Sequence, residues 1–322
     1  MYSPQQLNTL YDQKFSVDNF HTTPSGLYDP VNHIMSIKGK RIRPLLLMMS
    51  CDMFDGEVAE SLNPAFAMEV FHNFTLVHDD IMDNADIRRG VPTVHKLYGL
   101  NAGILAGDVM LSFAYRYLTD VSPVILPEVL SVFNKTAIEI FEGQQMDMDF
   151  EKREQVAEEE YLKMIEFKTS VLLGCCLQLG SVIAGANPQD QQLIYEFGLK
   201  LGLSFQITDD YLDSFGEADK VGKRIGGDIL QNKKTHLFVS AWNLANAEQK
   251  KQLKGLLNET DEEKKIAGVK HLFEATGARQ YTLNKADELY TVALQSLQAI
   301  SIENDAKKPL AELAEKINNR EF

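Results

Sequence analysis

The stretch that decides the fold is residues 71–83, which read FHNFTLVHDDIMD, an apolar helical run that ends on three aspartates. On a helix, Asp79 and Asp83 share one face, and Asp80 lies about 100° round the axis from Asp79. Three carboxylates this close repel each other unless cations neutralise them. Most acidic clusters are solvated helix ends, but a solvated face would mix polar and apolar residues, whereas this run is strongly apolar. Hard oxygen ligands at this density therefore predict a Mg²⁺ site of the kind shared with substrate phosphates.

The same pattern occurs a second time, far downstream. Residues 205–213 read FQITDDYLD, so an apolar run again ends on Asp209, Asp210 and Asp213. Bundle proteins can build carboxylate metal sites from the inward side chains of facing helices. Two such clusters facing each other across a bundle predict a single metal–diphosphate site.

Basic residues accompany both clusters. Residues 39–44, GKRIRP, place three cations at the entry to a helix, where they suit an anionic group, although alone they would also fit a surface loop. Arg88 and Arg89 directly follow the first cluster, so they either bind anions or balance the charge of Asp83 and Asp86. Phosphate oxygens are the natural partners of such arginines, which can grip them with two hydrogen bonds.

Composition limits the classes of function and partner. The chain has 322 residues and a net charge of −14, which allows a large core and argues against a nucleic-acid partner. Cys51, Cys175 and Cys176 form neither a disulfide framework nor a zinc spacing, and they predict buried thiols in a reducing cytoplasm.

One uncharged stretch, residues 169–189, is long enough to span a bilayer. Its glycines, with Gln178 and Ser181, favour a buried core helix instead, so we expect no transmembrane segment. The N-terminus carries no signal-peptide pattern.

The periodicity predicts an all-α protein. Apolar residues recur at spacings of three and four, and no sustained alternation of strand type occurs. Ser3-Pro4, Asp29-Pro30 and Asn63-Pro64 are each interpreted as a helix N-cap followed by proline at the first helical position. We therefore expect one large domain over residues 1–322, a bundle of roughly ten or more helices.

With both aspartate motifs and their basic companions intact, the chain resembles the trans-isoprenyl diphosphate synthases of the polyprenyl synthetase family. The resemblance extends from about Gly39 to about Thr276. It implies the isoprenoid synthase fold around a central apolar cavity, a homodimer, and three Mg²⁺ ions per active site. It also implies a prenyltransferase of isoprenoid biosynthesis that condenses isopentenyl diphosphate with an allylic diphosphate.

The resemblance assigns roles to individual residues. All six aspartates of the two clusters are implied metal ligands, and Lys168 and Lys223 join them as catalytic residues. The implied contacts of isopentenyl diphosphate are Lys40, Arg43, His72 and Arg89, and those of the allylic diphosphate are Arg88, Lys168, Thr169, Lys223 and Lys233. Gln206 is expected to bind a metal-held water and Asp228 to support a metal. Gln144 and Asp147 are expected either to lie near the metal site and hydrogen-bond the groups that bind the metal, or to belong to an ordinary polar helix face.

The resemblance also implies which residues set the chain length of the product. Phe74, five residues before the first aspartate, is the implied floor under the growing chain, and the smaller Thr75 follows it. One aromatic at these two places indicates geranylgeranyl diphosphate, with farnesyl or a longer diphosphate as alternatives. Ordinary core packing is the other interpretation of Phe74, because an ideal helix turns it away from Asp79.

Two other classes of protein remain. A class I terpene cyclase also ionises prenyl diphosphates, but it usually has a different second motif and lacks a second diphosphate pocket. A non-catalytic synthase subunit is disfavoured by the two intact clusters. The C-terminal residues Asn319-Arg320-Glu321-Phe322 are not the basic lid that some family members carry.

Overall fold

The structure, a computed structural model, describes residues 2–15, 20, 22–37, 39–216 and 225–319. These residues are predominantly helical, which confirms the all-α prediction. They form two compact units. The first comprises Met1–Phe133, Cys176–Gln192 and Ser301–Leu310, and the second comprises Asn134–Cys175, Leu193–Ile300 and Ala311–Phe322.

The first unit contains the elements before the middle of the chain. They are α1 Pro4–Phe15, α2 Ser25–Ser36, α3 Ile42–Met53, α4 Val58–Met82, β1 Ile87–Arg88, β2 Val91–Pro92, α5 Val94–Tyr98, α6 Leu100–Leu118 and the start of α7 Leu126–Glu151.

The later elements supply most of the second unit. They are α8 Glu158–Ile165, a π-helical turn Glu166–Ser170, α9 Val171–Ile183, α10 Pro188–Phe215, α11 Gly227–Leu230, α12 His236–Leu244, α13 Ala247–Leu257, α14 Glu262–Ala275, α15 Ala278–Ala299 and α16 Asn304–Asn319.

Helix α4 is the core helix of the first unit, packed against α3 and α6. Its apolar residues surround most of its circumference, as expected of a helix with neighbours on several sides. Helix α6 approaches it closely through Gly107, where a Cβ would lie 2.1 Å from Nε2 of His78. No larger residue fits at this crossing without displacing the His78 ring.

Two predicted helix starts are wrong. Helix α1 begins at Pro4 behind the Ser3 cap, as predicted, and Ser3 Oγ accepts a hydrogen bond from the Gln6 backbone N–H at 3.2 Å. Helices α2 and α4, however, begin at Ser25 and Val58, upstream of Pro30 and Pro64. Asn63 does not cap α4, because its side-chain amide instead donates to the Asp120 carboxylate.

Most of the uncharged stretch, residues 169–183, lies in the helical segment Glu158–Ile183. By length and composition alone it could cross a membrane, but 72% of its most apolar window is buried inside the protein. Burial of this kind is typical of a core helix, so the apolar surface is accounted for by packing. The prediction of a core helix is confirmed.

Candidate active site

The first aspartate cluster lies at the C-terminal end of α4. Asp83 caps the helix, its backbone N–H donating to the Asp79 carbonyl at 2.8 Å, and its side chain is exposed. Asp80 is 1% exposed and accepts hydrogen bonds from Arg88 Nε at 2.8 Å and Nη2 at 2.7 Å. Both oxygens of Asp80 are therefore bound by one guanidinium, while Asp79 and Asp83 lie together on a different face of the helix.

A two-residue hairpin positions the two arginines. Strands β1 and β2 pair Arg88 with Val91, and the turn residues Arg89 and Gly90 have φ values of 50° and 81°. Positive φ at both central residues defines the type I′ turn that suits such a hairpin. The turn separates the arginines, since Arg88 reaches Asp80 whereas the Arg89 guanidinium lies over Gly39, where a Cβ would be 2.6 Å from Nη1.

A cationic pocket of about 400 Å³ lies beside this hairpin and the start of α3. Its lining residues are Gly39, Lys40, Arg41, Ile42, Arg43, Glu69, His72 and Arg89. All four residues predicted to bind isopentenyl diphosphate, Lys40, Arg43, His72 and Arg89, are thus brought together. We call it the first-unit pocket.

The arginines of this pocket differ in their partners. Arg41 forms an ion pair with buried Glu69 and donates to the Met35 carbonyl at 3.2 Å, so its charge serves the fold. Arg43 has a buried Nε that lacks a hydrogen-bond partner within the described part of the chain. Burial also lowers the pKa of Arg43, a sign that its positive charge is poorly solvated. An unsatisfied buried donor on a cation is a specific indication of an anionic ligand.

His72 lies in the same pocket and is neutral. Burial, followed by the positive charge of Arg43 and Arg89, holds the pKa of His72 well below its ordinary value. The imidazole is therefore uncharged at neutral pH and can offer a single N–H to an anion.

The second aspartate cluster lies near the end of α10. Asp210 is 5% exposed, and its Oδ2 accepts hydrogen bonds from the Tyr161 hydroxyl and, at 2.8 Å, from the His236 backbone N–H. Asp213 Oδ2 accepts from the Asp228 backbone N–H at 3.0 Å. Asp210 and Asp213 therefore bind the backbone of two later residues, His236 and Asp228.

Lys168 is presented by an irregular turn of helix. Residues Glu166–Ser170 form a single π-helical turn, a feature that is frequent at functional sites. Gly143 on α7 allows this turn to approach, since a Cβ there would lie 2.4 Å from the Lys168 backbone nitrogen. Lys168 Nζ bonds Asp147 Oδ2 at 2.5 Å, and the Thr169 hydroxyl donates to Gln206 Oε1 at 3.4 Å.

Gln144 lies one turn before Asp147 and is 8% exposed. Neither its amide nitrogen nor its amide oxygen has a hydrogen-bond partner among the described residues. An ordinary polar helix face would keep such a group in water, so the burial supports the site interpretation of Gln144 over the surface one.

A second pocket, of about 200 Å³, lies within the second unit. Its functional residues include Asp147, Lys168, Thr169, Gln206, Asp209, Asp210, Asp228 and Lys233. Lys233 Nζ lies 3.6 Å from Asp228 Oδ1. Of the predicted allylic residues, Lys168, Thr169 and Lys233 are thus gathered here. Arg88 belongs to the first unit, where it binds Asp80, and Lys223 lies outside the described residues. We call this the second-unit pocket.

The donor set fits Mg²⁺. Carboxylate oxygens are the hard ligands that suit Mg²⁺, an ion that usually keeps several coordination positions for water and phosphate oxygens. Within the described ranges, no three metal-ligating side chains converge on one point. Burial and the negative charge of Asp228 raise the pKa of Asp210 to about 7, so a nearby positive charge would favour the ionised form of this carboxyl group. A bound cation would supply it.

The predicted floor residues lie on different sides of α4. Phe74 is 4% exposed and packs against the rings of Phe71 and His78, with centroids 5.6 and 4.9 Å away. Thr75 is only partly buried, and its hydroxyl donates to the His72 carbonyl at 2.8 Å.

Sequence reasoning missed His236 and the functional contact of Tyr161. Tyr161 and its partner Asp210 are 49 positions apart, so no local pattern joins them. His236 follows Thr235, the N-cap of α12, and this cap signal could have shown that a helix N-terminus follows the second aspartate cluster.

Comparison with known proteins agrees with this geometry. The polyprenyl synthetase family model matches residues 24–276. The geranylgeranyl diphosphate synthase of Sulfolobus acidocaldarius is 39% identical over 90% of this chain and 89% of its own length. The geranylfarnesyl diphosphate synthase of Natronomonas pharaonis is 32% identical over 93% and 91%.

Solved structures extend the likeness to the fold. A crystal structure of a geranylgeranyl pyrophosphate synthase superposes with a TM-score of 0.94 at 43% identity, covering 99% of both chains. The Corynebacterium glutamicum geranylgeranyl pyrophosphate synthase, complexed with isoprenyl diphosphate and magnesium, has a TM-score of 0.85 at 26% identity over 98% of this chain and 97% of its own. The chain therefore belongs to the polyprenyl synthetase family of enzymes.

Proposed function

We propose that this chain is a short-chain trans-prenyl diphosphate synthase that condenses isopentenyl diphosphate with an allylic diphosphate, forming mainly geranylgeranyl diphosphate. The observation that carries the proposal is the first-unit pocket, whose buried Arg43 Nε lacks a partner within the described part of the chain. A terpene cyclase binds one diphosphate and therefore needs only the aspartate-lined pocket, not a second, cationic one.

The second-unit pocket is the proposed allylic site. In this pocket Asp209, with Asp228 supporting, would hold Mg²⁺, and the bound metal would supply positive charge to the departing diphosphate. Asp79 and Asp83 are the proposed Mg²⁺ ligands of the first unit. Lys168 and Lys233 add fixed charge where negative charge develops on the leaving group. Arg88, already paired with Asp80, supplies further positive charge beside the first cluster.

The first-unit pocket is the proposed site of isopentenyl diphosphate. Arg43, Lys40 and Arg89 bind its diphosphate as cations, and neutral His72 donates one hydrogen bond. The homoallylic double bond attacks the allylic cation, forming the new carbon–carbon bond. The tertiary carbocation formed in this step then loses a proton to the released diphosphate, which restores a double bond and gives the product.

A direct experiment tests the proposal. The purified protein is incubated with Mg²⁺, isopentenyl diphosphate and dimethylallyl, geranyl or farnesyl diphosphate, and the dephosphorylated products are separated by chain length. Linear twenty-carbon product from each starter is expected. Cyclic hydrocarbons would indicate a cyclase, and no product with any starter would indicate a non-catalytic subunit.

Product length provides a separate prediction. Phe74→Ala should shift the products beyond twenty carbons, because it removes the aromatic ring proposed as the floor while retaining both aspartate clusters. Phe66→Ala is the matched control, since Phe66 lies two turns earlier on α4 and is also 4% exposed. Both variants should lose stability, by about 3–5 kcal/mol as is usual for Phe→Ala in a core. Only Phe74→Ala should change the chromatogram of products, and an unchanged distribution would make Phe74 ordinary packing.

We also propose a homodimer. Helices α5 and α6 expose apolar side chains that a partner could cover, with Leu97, Leu100 and Leu105 exposed by 52%, 54% and 56%. Leu105→Lys should therefore produce monomers, because a buried lysine at the interface would be costly. Light scattering measures the mass, and a wild-type chain that is monomeric at assay concentration would contradict the proposal.

The buried thiols Cys51, Cys175 and Cys176 suit a reducing cytoplasm.

A further inference from the structure

A buried polar network surrounds Asp210 in the second unit. The Tyr161 hydroxyl and the His236 backbone N–H both donate to Oδ2 of Asp210, and Gln206 Nε2 donates to Oδ1 at 3.3 Å. Tyr161 is 1% exposed and His236 is fully buried. Asp210 is thus held by protein donors on both oxygens.

Each contact has a definite polarity. The Tyr161 hydroxyl is the donor in its contact with Oδ2 of Asp210, because an ionised carboxylate has no hydrogen to donate. The His236 N–H belongs to the first residue of α12, so the Asp210 carboxylate also lies at a helix N-terminus, where negative charge is stabilised. The carboxylate thereby joins α10, α8 and α12.

The second aspartate cluster binds the later chain at two backbone positions, Asp228 and His236. Asp213 accepts from the backbone N–H of Asp228 in α11, while Asp210 accepts from the first residue of α12. Lys233 lies between these two anchor points in the chain. The position of Asp228 and Lys233 in the second-unit pocket therefore depends on the orientation of Asp210 and Asp213.

We propose that Tyr161 is a positioning residue for the second aspartate cluster, its hydroxyl fixing Asp210 so that Asp209, Asp228 and Lys233 are preorganised to bind Mg²⁺ and the allylic diphosphate. This inference rests on the function proposed above. It differs from a general stabilising role, because Tyr161 acts through one carboxylate on one of the two substrate pockets.

The outer part of the network supplies a matched control. Tyr281 donates to Glu158 at 3.0 and 3.1 Å, and Glu158 in turn contacts the His236 ring at 3.3 Å. Tyr281→Phe therefore removes a tyrosine hydroxyl from the same network without removing a donor to Asp210. Tyr161→Phe keeps the buried ring and removes only the hydroxyl.

Binding of inorganic diphosphate, measured by calorimetry with and without Mg²⁺, tests the inference without turnover. Tyr161→Phe should weaken the Mg²⁺-dependent binding by about tenfold, the lower range for losing a hydrogen bond to a charged group. The KM for the allylic substrate should rise similarly, while that for isopentenyl diphosphate stays within about twofold because its pocket does not include Tyr161. Tyr281→Phe should change neither quantity.

A double-mutant cycle with Asp210→Asn identifies the route of the effect. If Tyr161 acts through Asp210, the double variant should bind diphosphate no more weakly than Asp210→Asn alone. Additive losses, or equal losses in Tyr161→Phe and Tyr281→Phe, would overturn the inference, as would unchanged binding in a folded Tyr161→Phe protein. A wild-type chain that binds diphosphate with Mg²⁺ but forms no product would instead disprove the proposed function.

Discussion

Alanine at Asp79 or Asp209 is expected to lower kcat by about a thousandfold or more, the upper range for losing one preorganised electrostatic group. Each substitution removes a carboxylate from one of the two proposed magnesium clusters. The native helical fold should remain, because Asp79 and Asp83 are like charges one turn apart on α4 and removing one relieves their repulsion. Steady-state assays and circular dichroism measure the two effects separately.

Asp86→Ala is the appropriate control for the first cluster. Asp86 follows Asp83 by three positions, but its side chain is 78% exposed and pairs with Lys96 at the surface, so its loss should leave kcat within about twofold. EDTA should abolish turnover by the wild-type enzyme, and added Mg²⁺ should restore it. Full activity in EDTA, or in Asp79→Ala or Asp209→Ala, would show that the clusters do not hold an essential metal.

Local patterns in the sequence predicted the parts of this fold that depend on neighbouring residues. The run ending in Asp79, Asp80 and Asp83 ends a helix in the structure, since helical periodicity and capping act over only a few residues. The prolines at positions 30 and 64 were misleading. A proline beyond the first turn of a helix removes one backbone hydrogen bond and costs about 3 kcal/mol, and tertiary packing around the buried Pro64 has to offset that cost.

The different roles of neighbouring basic residues could not be predicted from the sequence. Arg41 and Arg43 are two positions apart in one basic run, yet the partner of Arg41 is Glu69, 28 positions away. The π-helical turn that carries Lys168 likewise has no composition signal, and its close neighbour Gly143 belongs to a different helix, α7. The partner of each basic residue can be identified only from the tertiary fold, because the fold determines which charged side chains come into contact.

Arg43→Ala is expected to raise the KM for isopentenyl diphosphate by about tenfold to a hundredfold, with a smaller effect on the allylic substrate. The range corresponds to a charge-assisted hydrogen bond of roughly 1.5–3 kcal/mol. Because burial lowers the pKa of Arg43 and its Nε is unsatisfied, the free protein should lose no stability and can gain some. Initial-rate kinetics with each substrate varied in turn, and a thermal melt, measure the two quantities.

Arg41→Ala should show the opposite pattern, although it removes the same charge from the same pocket. It leaves Glu69, whose side chain is 5% exposed, without its guanidinium partner, so unfolding should become easier by about 1–3 kcal/mol. The KM for isopentenyl diphosphate should change little, because the Arg41 guanidinium already donates hydrogen bonds to the Glu69 carboxylate and the Met35 carbonyl. If both variants raised that KM equally, the pocket would bind by net charge alone, and the unsatisfied Nε of Arg43 would lose its special role. A stabilised Arg43→Ala protein with poor affinity for isopentenyl diphosphate would mean that Arg43 is retained at a cost in stability in order to bind that substrate.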